Sequence, residues 1–130
     1  MFNILIVEDD ADMRELFCTV LADGGYNVFH AADGAEALDI IDKEYIDLIV
    51  ADVMMPNMDG YTLTKSLREA KYEIPILIVT AKDQFEDVER GFKVGCDDYM
   101  IKPVNVKELL LRVEALLRRA KISKIGRAHV

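Results

Sequence analysis

The feature that most limits what this chain can fold into is an alternation of two periods. Short unbroken apolar runs are each followed by a segment whose apolar residues recur at helical spacing. Ile4, Leu5, Ile6 and Val7 form one run; Leu48, Ile49, Val50 and Ala51 form another. Ile76, Leu77, Ile78 and Val79 form a third, and Tyr99, Met100 and Ile101 a fourth. Runs without polar alternation suit strands covered on both faces, as in parallel sheets flanked by helices. Between them, Met13, Leu16, Phe17, Val20 and Leu21 follow the pattern of one helix face, ended by Gly24 and Gly25. Asp33, with Glu36 three residues on, opens a second helix as an N-cap pair. Leu63 and Leu67 share a face of a third helix, begun near Asp59 and Gly60. Phe85, Val88 and Phe92 mark a weaker fourth. Asn105 caps a fifth, with Val106, Leu109, Leu110, Val113, Leu116 and Leu117 on one face. With a further strand around His30, the chain reads as five βα units. That implies an α/β fold with a parallel sheet, helices on both faces and right-handed crossovers.

Bulk properties narrow the class. A chain of 130 residues fits one domain with a full hydrophobic core. A hydrophobic share of 52% and a charged share of 31% indicate a globular protein rather than a disordered one. No apolar run approaches the ~18 residues of a membrane span, and the N-terminus has no basic region before its apolar run. Cys18 and Cys96 make no metal-binding or redox spacing, which fits a reducing cytoplasm and no membrane partner. The net charge of −8 argues against nucleic-acid binding by this chain itself, leaving DNA to a second domain. Arg112, Arg118, Arg119, Lys121, Lys124 and Arg127 nonetheless gather near the end.

The apolar runs end in groups that can do chemistry. The first ends in Glu8, Asp9 and Asp10, the second in Asp52, the third in Thr80 and the fourth in Lys102 and Pro103. Strand ends followed by loops are where open α/β sheets hold ligands. Two acids, a further acid, a hydroxyl and an ammonium are what holding a divalent cation and a phosphoryl group requires. Each residue alone has a plainer reading. Asp52 could simply start a turn, Glu8, Asp9 and Asp10 could be solvated helix-start acids, and Lys102 a solvated surface cation.

Taken together, residues 4–10, Asp52 with Met55, Pro56, Asp59 and Gly60, Thr80 with Ala81, and residues 95–103 resemble the receiver domain of two-component response regulators. The resemblance implies a CheY-like, flavodoxin-like doubly wound (βα)5 fold of strand order 2-1-3-4-5, which periodicity alone does not establish. It assigns Asp52 as phosphoacceptor, receiving a phosphoryl group from a sensor histidine kinase. Mg2+ is expected on Asp9 directly, on Glu8 more through water, on Asp52, and on the backbone carbonyl of Met54. Thr80 and Lys102 would neutralise and hydrogen-bond the phosphoryl oxygens, and Tyr99 would swing inward once Thr80 moves. Lys102 and Pro103 are a candidate cis pair. Such a chain accepts a phosphoryl group and assists its own transfer and autodephosphorylation, rather than turning over a substrate.

The segment from Glu108 to Arg119 resembles the last receiver helix of OmpR/PhoB-like transcription factors. That implies a phosphorylation-dependent homodimer through the fourth helix, fifth strand and fifth helix, controlling an output domain. Cross-subunit pairs map onto Asp97 with Arg119 and Asp98 with Arg112. The usual basic partner of Glu108 is replaced by Val88, which weakens the expected dimer. The receiver is assigned to residues 1–120. Residues 121–130 are read as a linker start and a non-native tail, because one frame of a common sequencing adapter would encode the last six. An ordinary frayed terminus is the alternative. Two other functions remain open from sequence: a stand-alone module that binds a partner protein, and a magnesium-dependent phosphohydrolase. The second would want an acid two residues after the nucleophile, where Met54 stands.

Overall fold

Five parallel strands alternate with five helices in the computed structural model, which describes the backbone of residues 1–128 and side chains through Lys121. In chain order they are β1 (Asn3–Val7), α1 (Ala11–Asp23), β2 (Asn27–Ala31), α2 (Gly34–Lys43) and β3 (Leu48–Ala51). There follow α3 (Gly60–Glu69), β4 (Ile76–Thr80), α4 (Phe85–Val94), β5 (Asp98–Ile101) and α5 (Val106–Ala128). The sheet order is β2-β1-β3-β4-β5, all parallel. Residue 120 falls within α5, so the expected domain boundary lies inside a helix; His129 lies outside the described residues.

Alternate residues of each central strand feed opposite faces. Leu5, Val7, Ile49, Ala51, Ile76 and Ile78 pack with Ala37, Ile41, Leu63 and Leu67 from α2 and α3. Ile4, Ile6, Leu48, Val50, Leu77 and Val79 pack with Phe17 and Leu21 of α1 and Leu109, Val113, Leu116 and Leu117 of α5. The strands are apolar throughout because both faces are covered, each buried aliphatic side chain contributing ~1.5–3 kcal/mol. Caps fall where the sequence places them. Asp33 Oδ1 accepts from Glu36 N at 2.8 Å, and Asn105 Oδ1 accepts from Lys107 N at 2.9 Å.

Helical spacing located α4 and its half-buried Val88, which packs against the core, but named two residues that the structure leaves exposed. Phe85 is 72% exposed and Phe92 48%, and the buried residue of this helix is Gly91. The reason is Tyr99 of β5, whose ring lies so close that a Cβ on Gly91 would sit 2.9 Å from Tyr99 Cδ2. An aromatic from the sheet occupies the space a helix side chain would otherwise take. Leu16, assigned to the buried stripe of α1, is likewise 46% exposed, the contact being carried by Phe17 and Leu21. No helix among the described residues is long and apolar enough to cross a membrane.

Candidate functional site

The sheet order does the work of assembly. β1 and β3 are neighbours with Val7 opposite Ala51, so the next residues, Glu8 and Asp52, emerge side by side. Asp52 N donates to Val7 O at 3.0 Å, extending that ladder by one bond. β4 and β5 pair with Thr80 opposite Ile101, and Lys102 N donates to Thr80 O at 2.9 Å. Residues 8, 52, 80 and 102 are thereby brought to one edge of the sheet, although up to 94 positions separate them.

Lys102 is the electrostatic centre of this group. Its Nζ donates to Glu8 Oε1 and to Asp52 Oδ2, both at 2.7 Å. Glu8 and Asp52 are buried, whereas Asp9 is exposed at the rim. Carboxylate oxygens of Glu8, Asp9 and Asp52 all lie within 4.8 Å of one another. Three carboxylates against one ammonium leave the cluster two charges in deficit. Burial raises the Glu8 carboxyl above its ordinary value, and the neighbouring Asp52 charge adds to this, while the Lys102 hydrogen bond opposes both. Burial alone would lower the Lys102 ammonium, but the hydrogen bonds and charges of Asp52 and Glu8 together raise it. An electron-poor oxygen-ligated dication fits this donor set, since hard carboxylate oxygens are what Mg2+ takes.

The remaining groups are held by the backbone around them. Met54 N donates to Asp52 Oδ1 at 3.1 Å, fixing the carboxylate from its second oxygen. Thr80 is fully buried, and its Oγ1 lies 3.4 Å from the donor Lys82 N. Asp10 is the N-cap of α1, accepting from Met13 N at 3.0 Å, which separates it in role from Glu8 and Asp9. The Lys102–Pro103 peptide is cis. Arg14, which the sequence did not single out, donates to Glu8 O at 2.8 Å and so braces the β1–α1 turn.

Tyr99 already lies inward. It is buried, and its hydroxyl donates to Lys82 O at 2.8 Å and lies 3.4 Å from the hydroxyl of Tyr61. Burial, then the Tyr61 contact, raises its phenol above the usual range. Of the residues expected at a dimer surface, Asp97, Asp98, Glu108 and Arg112 are engaged within the chain. Asp97 Oδ2 accepts from Arg68 Nη2 at 2.9 Å and from Ile76 N at 2.8 Å. Arg112 Nη1 reaches Asp98 Oδ2 at 2.9 Å, and its Nη2 reaches Glu108 Oε1 at 3.0 Å. Arg119 is exposed on α5. Arg68 was also missed. Its guanidinium spans Gly95 O, Tyr72 O, Ile74 O and Asp97, and nothing in a single arginine of a helix announces such a hub.

The response regulator receiver domain family matches residues 4–114. Response regulator MprA of Mycobacterium avium is 45% identical over 119 residues, covering 92% of this chain and 52% of that protein. The alkaline phosphatase synthesis transcriptional regulatory protein PhoP of Bacillus subtilis is 45% identical over 121 residues, covering 93% of this chain and 50% of that protein. This chain spans about half the length of the curated relatives it matches. Among solved structures, the receiver domain of Francisella response regulator 1452 superposes with a TM-score of 0.89 at 37% identity, covering 92% of this chain and 99% of that one.

Proposed function

Because the chain belongs to the response regulator receiver domain family of two-component signalling, we propose that Asp52 accepts a phosphoryl group from a sensor histidine kinase. The observation that carries this is Lys102 Nζ at 2.7 Å from both Asp52 and Glu8, with Asp9 alongside. Asp52 Oδ attacks phosphorus as the bond from phosphorus to the kinase histidine nitrogen breaks and its electron pair returns to that nitrogen, while Met54 N–H holds the carboxylate in place. Charge in a loose transition state sits on the equatorial oxygens, so positioning and neutralisation are most of the catalysis. Lys102 transfers its donors from the carboxylates to a phosphoryl oxygen. The Thr80 hydroxyl gives its proton as a hydrogen bond to another. Asp9, Asp52, the Met54 carbonyl and Glu8 would hold Mg2+, which would supply the positive charge that one ammonium leaves uncovered. The phosphorylated surface of α4, β5 and α5 then switches, and an output domain binds DNA; the two curated relatives carry roughly as much chain again.

Two expectations follow at the metal and the surface. Asp9→Ala abolishes Mg2+ binding, measured by calorimetry or tyrosine fluorescence, while the fold stays intact or gains stability as like charge is removed. In the parent chain Mg2+ affinity rises with pH through a window above the ordinary carboxylate range, because protonation of Glu8 competes with the cation. The sign for metal-free stability is opposite. A carboxyl whose folded value is raised contributes fully below its unfolded value and loses that contribution as pH climbs through the folded one. Metal-free protein therefore loses stability across that window, and added Mg2+ offsets the loss. Parent-like affinity in Asp9→Ala would refute the assignment.

At the surface, beryllofluoride with Mg2+ shifts the chain toward a weak dimer in sedimentation, and the shift shrinks as salt rises. Arg112→Glu removes it by turning a cation bound to Asp98 and Glu108 into a third acid. A monomer with and without beryllofluoride, at high protein and low salt, would instead indicate a module that binds a partner protein.

A further inference from the structure

The mouth of the Asp52 site is an open cavity of about 670 Å3, bordered by Asp9, Met54, Asp59, Tyr61, Lys82 and Arg90. Asp52 is only 6% exposed at its edge. In an in-line displacement the leaving group departs opposite the nucleophile, so this opening is where the rest of a phosphoryl donor must sit. Among its lining residues Lys82 and Arg90 balance Asp9 and Asp59. Among the described residues, Arg68, Lys93, Lys102, Arg112 and Arg118 are paired with carboxylates. Arg90 has no such partner. Its guanidinium lies over the Tyr61 ring, with Cζ 4.5 Å from the centroid. The ring is itself fixed, being buried and donating its hydroxyl to Asp87 O at 2.9 Å. Arg90 is thus a cation on a rigid seat, facing the space a leaving group enters.

Donors differ in what leaves. In an acyl phosphate the bond from phosphorus to the bridging oxygen breaks, the electron pair stays on that oxygen, and a carboxylate departs without proton transfer. In a phosphoramidate protonated on nitrogen, the phosphorus–nitrogen bond breaks, the pair returns to nitrogen, and neutral ammonia departs. A fixed cation at the mouth stabilises the first departure and not the second. We infer that Arg90, seated on Tyr61, is a donor-specificity residue that, among small-molecule phosphoryl donors acting without a kinase, favours acyl phosphates over those leaving as neutral nitrogen bases. This rests on the reading of Asp52 as phosphoacceptor.

The test compares acetyl phosphate with phosphoramidate on the full chain with Mg2+, following Asp52 phosphorylation by intact mass. Arg90→Gln lowers the ratio of the acetyl phosphate rate to the phosphoramidate rate by about five- to tenfold, the size expected of one unit charge several ångströms away in a partly solvated site. Arg90→Lys keeps the charge and restores most of the ratio, and raised salt narrows the difference between parent and Arg90→Gln. Both rates falling together would show Arg90 to be only a clamp between α4 and α3, and would overturn the inference, as would an unchanged ratio. Absence of label on Asp52 of the parent from either donor would overturn this inference and the phosphoacceptor reading together.

Discussion

Asp52→Asn removes all covalent phosphoryl label from the chain after treatment with a small phosphodonor and Mg2+, read by intact mass and peptide mapping. Glu8 shares the Lys102 ammonium at 2.7 Å, but Asp52 is the carboxylate that also accepts from Met54 N, at the start of the β3–α3 loop that borders the open cavity. The variant should remain folded. An amide oxygen still accepts from Met54 N, Lys102 keeps Glu8 as a partner at 2.7 Å, and one of three crowded negative charges is gone. The loss of label is therefore chemical rather than a consequence of unfolding, which a parent-like thermal transition would verify. Undiminished label in the variant would place the acceptor elsewhere and dismantle the site as described.

Gly60→Ala is expected to be the most disruptive single methyl group in the molecule. Gly60 opens α3, is buried, and donates its N–H to Val53 O at 3.0 Å. A Cβ there would collide with the Asp52 carbonyl oxygen, and would stand 3.0 Å from both Asp52 C and Val53 Cα. Every one of these atoms is backbone, so no rotamer change relieves the overlap. Either α3 or the end of β3 must move, at a cost on the order of 3 kcal/mol, the upper part of the range for overpacked sites. The displaced segment carries the acceptor carboxylate and Met54, so Mg2+ affinity falls along with the urea midpoint. A variant with parent-like midpoint and metal affinity would mean that the approach of α3 to β3 is far softer than drawn here.

Much of the fold was legible because the sheet is buried on both sides. Runs such as Ile4 to Val7 and Ile76 to Val79 have no polar alternation to mislead, and Asp33, Asp59 and Asn105 mark helix starts by a local mechanism. Strand order was not legible in the residues themselves, since any order accommodates apolar runs. It came from the family resemblance, as did the role of each strand-end group. What stayed hidden depends on partners distant in sequence. The exposure of Phe85 and Phe92 follows from where Tyr99 lies, and the inward pose of Tyr99 follows from the Lys82 carbonyl 17 positions away. The resemblance assigns Asp97 to a cross-subunit pair with Arg119, yet Arg68, 29 positions earlier, holds it within the chain. Any dimer contact that uses Asp97 must therefore compete with an internal pair and with the N–H of Ile76.

Lys102 follows the last strand and its partners follow the first and third, so the ammonium joins the two carboxylates only once β5 has paired. A nascent polypeptide released before β5 could pair β1 to β4 and present Glu8, Asp9 and Asp52 together. It would do so without the ammonium that binds the first and third to each other. Such a fragment would carry a crowded, uncompensated acidic edge, with only the Thr80 hydroxyl left to meet incoming phosphoryl oxygens. With Asp52 as acceptor, a product truncated before β5 is expected to be silent in signalling rather than wrongly active.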